Sequence, residues 1–501
     1  MRRLPLVSGS RIALIRCEDD DVVLAPPAPL DPIANVAEAV RDALRYPLSG
    51  LPLAALAVRG GRATIVVDHP SLPFPAAEHD PRQEALDAVV DELVRLGIST
   101  ENQTLLVAGG LERRAGRARL ESLLPPAKAR RFHGSAVVHD CEDEALVPVE
   151  GAGPEVRLGP SLVATDLIVV VSAAETVLHG GPAALLGASD AATIRAARAE
   201  SLLEPWRASG WELARSIEHL LALRAPVMGV SLLLDHPRLT GRYRGYPHDV
   251  ATAERLARSP LRRLLNGLPG SSRRARLDGL KHEIAAAGVL AGPPSVAHAE
   301  ALLRGTELRA TRIQEPLDAI VVPVPWASPH AHRDPINPLT AAYAALGLAL
   351  ALWRGTFPVA AGGTVVLLHS FNRTFGHGPG APYRALFQVL RDGLEPESLG
   401  AAETAAAADP RALKAYRQGR APHPLLPYAE WDACQPALSQ LGRVIVAGCR
   451  DAGAARTLGF VPSHSIATAL EMTHGVSAGR ARMGVLLAPP YAPLVVEQPQ
   501  G

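Results

Sequence analysis

Short β-branched runs alternate with amphipathic helical segments along this chain, and this alternation restricts the fold more than any other feature. The run Ala63–Val67 ends at an Asp-His-Pro turn, which is typical of a buried strand that opens into a loop. Asp80-Pro81 supplies a helix N-cap and Gly97 a helix end, so a helix is predicted between them. Thr104–Ala108 repeats the strand pattern. This rhythm predicts an α/β fold with a largely parallel sheet.

The same rhythm continues toward the end of the chain, and the length of 501 residues favours two domains, because a single hydrophobic core seldom grows this large. We predict two α/β domains with mostly parallel sheets and an interdomain cleft. The N-terminal domain covers residues 1–265, an arginine-rich helical connection covers 266–310, and the C-terminal domain covers 311–501. Further strands are predicted at Ser135–Val138, Leu167–Val171, Val227–Leu234, Ala319–Val324, Thr364–Leu368 and Arg443–Ala447.

Three further segments bear on structure and location. Leu339–Trp353 is apolar throughout but falls short of the roughly 18 to 20 residues that a membrane span needs, so we predict one buried helix. The alanine-rich Ala401–Ala408 fits an exposed helix or a loop. The start, Met1–Cys17, has no continuous apolar stretch, so no signal peptide is expected. The four cysteines form no CxxC pair, which fits a reducing cytoplasm.

The composition narrows the classes of partner. The formal net charge of +1 gives no electrostatic reason to expect nucleic acid or a membrane, so a small molecule in the cleft is the expected ligand. Oligomeric state is left open. Of 51 basic residues only three are lysines, namely Lys128, Lys281 and Lys414. A mechanism that depends on lysine therefore has few residues to use.

Candidate site residues lie where predicted strands end, because loops at the carboxyl ends of parallel strands converge and helix N-termini point inward there. These loops are rich in His, Asp, Arg and Gly. They are Asp68–Pro75, Gly109–Arg114, His139–Asp143, Ala173–Gly181, Trp326–Asn337 and His369–Gly380.

Several of these segments follow one another in an order that resembles the nickel-dependent lactate racemase family. The frame His179-Gly180-Gly181 precedes Pro-Ala, where that family has a Gly-Gly-Arg-Lys stretch. Asp68 and the His139-Asp140 pair also match family positions. The resemblance extends over about 430 residues and is carried by Asp68–Pro73, Gly97–Arg113, Val137–Asp143, His179–Ala183, Gly362–Tyr383 and Thr468–Val496.

The resemblance implies a cofactor-bearing cleft between two α/β domains. In that family a lysine tethers a nickel-pincer nucleotide, the nickel accepts a hydride from a 2-hydroxy acid, and two histidines exchange the hydroxyl proton. The implied activity is racemisation or epimerisation of small 2-hydroxy acids. The candidate catalytic residues are Glu112, His139 and His69; those for cofactor binding are Asp68, Gly180, Gly181, Arg113, His179 and His377; those for substrate binding are Ser71 and Trp431.

The chain departs from the family at the residues that carry this chemistry. The tethering lysine corresponds to Ala183, and the nickel-binding histidine falls on or near Arg198. One catalytic histidine corresponds to Glu112, and the arginine that binds the substrate carboxylate corresponds to Ser71 or Leu72. No lysine occurs between Lys128 and Lys281 to restore the tether, so the cofactor is unknown.

Three functional hypotheses therefore stay open. The first is an isomerase of this family with a rebuilt site. The second is a non-catalytic relative, a pseudoenzyme that binds a small carboxylate or a nucleotide, or that regulates a catalytic paralogue. The third is a metal-independent enzyme that uses Glu112, His139 and His69 for acid–base chemistry.

Individual residues also allow two interpretations each. His330 and His332, beside Asp334, are either a pair that can bind a metal or part of a solvated polar loop. No metal site is predicted. Asp140 acts either beside a site base or as a turn cap. The Gly180-Gly181 pair either lets the backbone approach a phosphate or makes an ordinary tight turn.

Overall fold

Two six-stranded sheets form the framework of the protein. The computed structural model describes residues 2–68, 79–116, 120–150, 155–326, 328–330, 336–376, 378–393, 396–474, 481–487 and 491–497. Within these ranges the α/β class and the mostly parallel sheets predicted from the sequence are confirmed. Each sheet belongs mainly to one half of the chain.

The first sheet has five parallel strands and one antiparallel edge strand. Its strands in spatial order are Ala286–Gly292, Val227–Leu234, Leu167–Ala173, Ala63–Asp68, Gln103–Ala108 and Ser135–Val138. The chain builds outward from Ala63–Asp68 in one direction and then returns to add Leu167–Ala173 on its other side. The order therefore reverses between these two strands, which is where open α/β sheets bind ligands.

The second sheet is parallel throughout. Its strands in spatial order are Val461–Ser463, Arg443–Ala447, Val359–Leu368, Leu317–Pro323, Met483–Leu486 and Val22–Leu24. An early strand of the chain thus completes the sheet of the later half. The domain boundaries at 265 and 310 stay a prediction.

Smaller sheets complete the strand inventory. A hairpin comprises Arg2–Ser8 and Arg11–Cys17, and its turn donates from the Gly9 N–H to the Val324 carbonyl at 2.8 Å. The other small sheets are Arg238–Leu239 with His282–Glu283, Val147–Val149 with Val156–Leu158, and Thr311–Ile313 with Leu494–Val496 and Trp353–Arg354.

Helices cover both faces of each large sheet. The α-helices are Val36–Arg45, Leu53–Leu56, Pro81–Arg95, Pro126–Ala129, Pro160–Val163, Pro182–Leu186, Ala191–Ala196, Ser209–Ala222, Val250–Arg258, Leu261–Gly267, Gly270–Asp278, Pro294–Arg309, Pro338–Ala342, Ala381–Asp392, Pro396–Ala407, Pro410–Arg417, Leu426–Gln440, Ala452–Thr457 and Ile466–His474. Single 3-10 turns occur at Thr100–Asn102, Pro205–Arg207, Gly241–Tyr243 and Ala349–Ala351. Of the two interpretations of the alanine-rich segment, the helix is therefore right. None of the helices in the described ranges has the length and apolar character needed to span a bilayer.

Two-sided coverage explains why the strand sequences are apolar at consecutive positions. Ile65 packs into the core on one face of the first sheet and Val66 into the core on the other. In the second sheet Ile320 and Val321 divide in the same way. Neither strand can alternate polar with apolar residues, because neither face is open to water.

The apolar segment predicted as a single helix over Leu339–Trp353 is more irregular than expected. The α-helix Pro338–Ala342 passes into a π-helix over Tyr343–Leu348, and Trp353 already lies in a strand. A Cβ added at Gly347 would lie 2.6 Å from the Tyr343 ring and 3.3 Å from the Ala433 side chain. The neighbouring helix thus approaches closely here, and this contact accompanies the widened turn.

The helix Pro81–Arg95 begins and ends where the sequence predicts. The Asp80 side chain accepts a hydrogen bond from the Arg82 N–H, and Gly97 has a positive φ of 92°. Replacing Asp80 by Ala should destabilise the first turn by about 1 kcal/mol, because the helix loses its N-cap acceptor. Hydrogen exchange of a peptide covering this helix should then become faster by roughly fivefold.

Glu84→Ala on the same helix is the matched control. Glu84 is exposed, and its replacement removes the same charge but leaves the N-cap in place. Equal acceleration in the two variants would contradict the capping role of Asp80.

Candidate functional site

A hydrogen bond to a side chain links the strand ends at the reversal of the first sheet. Asp68 ends its strand, and its Oδ2 accepts from the Gly180 N–H at 2.5 Å. The next amide, Gly181 N–H, donates to the Ser172 hydroxyl at 2.8 Å. The loop after the neighbouring strand is thereby fixed over the switch point, as the strand-end rule predicts for a site.

The two glycines are required by close packing. Gly180 and Gly181 have φ values of 77° and 51°, and a Cβ on Gly181 would lie 2.4 Å from the His298 Cβ. His298 is fully buried, which lowers the pKa of its imidazole to about 4, and its Nε2 lies 2.9 Å from the Thr176 carbonyl. The tight-turn interpretation of the pair therefore has a direct structural basis.

A cleft of about 800 Å³ opens beside this turn. Its first-half wall comes from the ends of Ala63–Asp68 and Gln103–Ala108 and from the loop that carries His179, whose Nδ1 lies 3.2 Å from the Thr176 hydroxyl. Its second-half wall comes from the helix Leu426–Gln440 and the π-helix. The cleft thus brings together Asp68, Glu112, His179, Ala183 and Arg198 of the residues discussed from the sequence.

The inner wall of the cleft holds an imidazole between two carboxylates. His330 follows a strand of the second sheet, and its Nδ1 lies 3.3 Å from Glu112 Oε1. Its Nε2 makes an ion pair with Glu430 Oε1. All three side chains are at most 20% exposed. One carboxylate comes from the first half of the chain and the other from the second, so the ring joins the halves.

These contacts determine the charge of His330. Burial alone would lower the pKa of the imidazole, but the charge of Glu430 and the hydrogen bonds of both carboxylates outweigh it and raise the pKa to about 10. The ring is therefore an imidazolium at neutral pH. It is a hydrogen-bond donor at both nitrogens and cannot act as a base there.

Aromatic side chains complete the cluster. The Tyr343 ring stacks on His330 with centroids 6.0 Å apart, and the Tyr383 hydroxyl donates to Glu430 Oε1 at 2.9 Å. Burial, together with the charge of Glu430, raises the pKa of both phenols far above the usual range. The other oxygen, Glu430 Oε2, is buried and has no hydrogen-bond partner among the described residues. It is an acceptor that a ligand could use.

Ala183 and Arg198, which the sequence resemblance pairs with the family's lysine and histidine, make other contacts in this structure. Ala183 is buried in the helix Pro182–Leu186, which begins directly after the glycine pair. Arg198 lies at the cleft rim and pairs with Asp432 Oδ2 at 3.0 Å. Its neighbour Arg195 pairs with the same oxygen at 2.6 Å and with Glu403 Oε1 at 2.5 Å. These arginines therefore tie the two halves together at the rim.

Acidic groups dominate the cleft. Six carboxylates and two arginines line it within the described ranges, so the net formal charge is −3 even with a protonated His330. The carboxylates are Asp68, Glu112, Glu200, Glu212, Glu430 and Asp432, and the arginines are Arg198 and Arg207. An anionic ligand would meet net repulsion in this cleft.

Other residues predicted for the site lie elsewhere. His139 lines a separate cavity of about 440 Å³, where its Nε2 lies 2.7 Å from the Ser189 carbonyl, and burial lowers the pKa of its ring. Asp140 Oδ1 accepts from the Glu142 N–H at 3.1 Å, so its turn-capping role is confirmed. Arg113 is exposed and Trp431 is buried in the second core, and neither lines the cleft. His69, Ser71, His377, His332 and Asp334 lie outside the described residues.

Sequence reasoning missed most of the cluster. The sequence identifies His330 only as part of a metal-binding pair with His332 or of a solvated polar loop. Tyr343 falls in a predicted buried helix and Tyr383 in a segment that carries the resemblance, and Glu430 is not predicted for the site. These residues lie in helical segments whose sequence pattern is typical of a buried core. No local sequence feature therefore identifies Glu430 as a site residue. Only the position of His330 in a strand-end loop pointed toward the cleft.

A second polar cluster suggests a metal at first sight. Cys141, Glu142 and His423 place possible ligand atoms within 4.8 Å of one another. Each is already satisfied, because His423 Nε2 lies 3.1 Å from Glu142 Oε1 and the Cys141 sulfur contacts the Tyr416 hydroxyl at 3.1 Å. Burial also raises the pKa of the Cys141 thiol to about 12, which disfavours the thiolate that a metal needs. The cluster is better described as a contact between the two halves.

Replacing His330 by Gln should destabilise the protein by about 3–5 kcal/mol near pH 7, because two buried carboxylates lose their shared cation. The folded-state pKa is raised above the ordinary value, so the stabilisation is complete below about pH 6.5 and is lost as the pH rises through about 10. The difference in unfolding midpoint between the variant and the parent should therefore shrink across this window.

Thermal unfolding measured from pH 6.5 to 10 provides the check. His219→Gln is the control, because His219 is exposed and its loss should give a small difference that does not vary with pH. A large difference for His330→Gln that stays constant to pH 10 would contradict the assigned charge.

Comparisons with known proteins agree with this architecture. Residues 9–206 match the lactate racemase N-terminal domain family. No curated protein gives a significant match. Among solved structures, the lactate racemase apoprotein from Thermoanaerobacterium thermosaccharolyticum is similar over 99% of this chain and 100% of its own, with a TM-score of 0.59 and 14% identity.

A Thermotoga maritima protein of known structure covers 93% of this chain and 100% of its own, with 10% identity and a TM-score of 0.49. At 14% identity the likeness to lactate racemase shows the fold, and the family match covers residues 9–206. Residues 9–206 are therefore similar to the lactate racemase N-terminal domain family, and the chain as a whole is similar in fold to lactate racemase.

Proposed function

We propose that this protein binds a small neutral or cationic polar molecule in its cleft and works without the nickel-pincer cofactor of lactate racemase. The observation that carries the proposal is the His330 ring held between Glu112 and Glu430 on the inner wall of the cleft. This charged cluster provides a buried acceptor, Glu430 Oε2, for a ligand without a metal.

The cleft does not fit a tethered pincer nucleotide. Ala183 stands two residues after Gly181, at the position where the resemblance requires the lysine. Its side chain has no nucleophile. None of the chain's three lysines is among the residues that line the cleft, and Lys128 pairs with Asp87 and Asp91. Arg198 is held by Asp432 and, as a cation, repels a metal ion. We therefore derive no step through that cofactor.

The charge of the cleft favours ligands other than 2-hydroxy acid anions. The net formal charge of the lining is −3, and the buried Glu430 Oε2 has no hydrogen-bond partner within the described part of the chain. An ammonium or a hydroxyl group of a ligand would satisfy this oxygen, whereas a carboxylate would add a further negative charge beside it. The small-carboxylate alternative is therefore less well supported than a neutral or cationic ligand.

Metal-independent acid–base catalysis is a second candidate, because the same cluster holds a proton that could be shared with a substrate. The raised pKa of His330 makes it a hydrogen-bond donor or a weak acid at neutral pH. Two of the residues assigned to this chemistry from the sequence are described by the structure: Glu112 lies in the cluster, and His139 lines another cavity. This candidate needs a substrate whose reacting atom develops negative charge next to the ring.

Absence of the tether is tested directly on protein co-expressed with the enzymes that make the nickel-pincer nucleotide. The expected result is an intact mass equal to that of the unmodified chain and less than about 0.1 nickel per chain after gel filtration, because no lysine reaches the cleft. A substoichiometric adduct would be located by peptide mapping. A stoichiometric adduct with bound nickel would overturn the proposal.

Ligand charge is tested with two molecules of similar size, L-lactate and 1-amino-2-propanol. In the second molecule an aminomethyl group replaces the carboxylate. The amine should bind at least about tenfold more tightly by calorimetry, a difference of about 1.4 kcal/mol. Glu430→Gln should reduce that preference, whereas the exposed control Glu84→Gln should leave it unchanged. Tighter binding of lactate would contradict the proposed ligand class.

Turnover is followed in the same samples with D-lactate in deuterated water. No racemisation is expected from a cleft that lacks the pincer. Racemisation with deuterium at the α-carbon would indicate proton transfer and favour the acid–base candidate. Racemisation without deuterium would indicate hydride transfer and would overturn both candidates.

A further inference from the structure

A second large pocket lies at the carboxyl ends of the second sheet, away from the cleft. Its volume is about 900 Å³. Four parallel strands end at its base, and their following loops contribute Trp326, His369, Arg450 and His464. The N-terminal hairpin and the helices Leu261–Gly267 and Gly270–Asp278 form its sides. This is the position where open parallel sheets bind ligands.

The pocket is strongly cationic. Five arginines line it, and no Asp or Glu does so among the residues that the structure describes. The arginines are Arg11, Arg262, Arg273, Arg274 and Arg450. They come from four separate segments of the chain, so their convergence is a product of the fold and not of one basic stretch of sequence.

Nearby carboxylates do not neutralise these cations. Asp278 accepts from the Trp326 indole at 2.5 Å, and Asp451 pairs with Arg373 at 2.5 Å. Within the described ranges, none of the five lining arginines has a carboxylate within ion-pair distance. The Nε atoms of Arg262 and Arg274 are also buried without a hydrogen-bond partner there. Such orphaned donors indicate a missing acceptor.

Mutual repulsion supports the same conclusion. Burial and the neighbouring charges of Arg11 and Arg450 lower the pKa of the Arg273 guanidinium. Its Nε is oriented by the Ser10 hydroxyl at 3.2 Å. An anion between these guanidinium groups would replace repulsion with charge-assisted hydrogen bonds.

Neutral donors and an apolar wall define the ligand further. His369 is buried, its Nδ1 accepts from the Phe371 N–H at 3.2 Å, and its Nε2 is therefore left to donate. Phe371 is held at a positive φ of 50°, which a non-glycine residue adopts only under constraint from its surroundings. Ile336 and Trp326 give the pocket an apolar side. The volume exceeds what a single inorganic ion needs.

We propose that this pocket binds a phosphorylated small molecule, a phosphate or diphosphate ester whose anionic groups lie among Arg262, Arg273 and Arg274 and whose organic part lies against Trp326. The site differs from the cleft in sheet, in residues and in sign of charge, and it does not depend on the function proposed for the cleft.

Calorimetric titration of the full chain with inorganic pyrophosphate and with ADP tests the site. Both should bind saturably and compete with each other. The double variant Arg262→Ala/Arg274→Ala should weaken both by at least about tenfold, since two charge-assisted contacts are lost. Arg263→Ala/Arg276→Ala is the matched control, because both side chains are exposed on the same two helices and do not line the pocket. The affinity of this control variant for pyrophosphate and ADP should change less than about twofold.

Two further measurements keep the result unambiguous. The unfolding midpoint of Arg262→Ala/Arg274→Ala without ligand should equal or exceed that of the parent, because repelling cations have been removed. A marked fall would mean that these arginines stabilise the fold, and it would overturn the proposed site. Sulfate at equal ionic strength should bind far more weakly than pyrophosphate. No saturable binding at millimolar pyrophosphate and ADP, equal loss in both double variants, or sulfate binding equal to pyrophosphate would each overturn the proposal.

Discussion

A buried imidazole between two carboxylates sets the properties of the cleft. His330 needs both Glu112 and Glu430 to remain charged away from water, and those residues come from different halves of the chain. The halves must therefore lie together for the charge to be stable. The stacked Tyr343 extends this requirement into the π-helix, where the backbone departs from regular geometry.

The architecture follows from the sequence because its determinants are local. Ser135–Val138, Val227–Leu234 and Arg443–Ala447 begin and end where β-branched runs meet turn residues, and the structure has them at those positions. The π-helix at Tyr343–Leu348 could not be predicted in this way. It accompanies the close approach of another helix at Gly347, a contact between segments far apart in sequence.

The site divides along the same line. The strand-end rule placed Asp68, Glu112 and His179 in one cleft, because topology alone brings those loops together. The rule also selected His139, which a hydrogen bond to the Ser189 carbonyl holds in another cavity. Glu430 lies on a helix with apolar neighbours and has no distinguishing pattern. A carboxylate becomes a site residue only through its partner across the cleft, and no sequence window contains both.

Arginine in place of lysine has different consequences at the two cavities. A lysine can lose its proton and form a covalent bond, whereas a guanidinium keeps its charge and binds through a planar set of donors. At the cleft rim Arg198 is therefore suited to hold Asp432 and unsuited to tether a cofactor. In the second pocket the same permanence is an advantage, because the positive potential persists over the physiological pH range. The charge of the cleft depends on His330, whereas the charge of the second pocket comes from arginines. A rise in pH from neutral to 10 should therefore alter ligand binding in the cleft and leave ligand binding in the pocket unchanged.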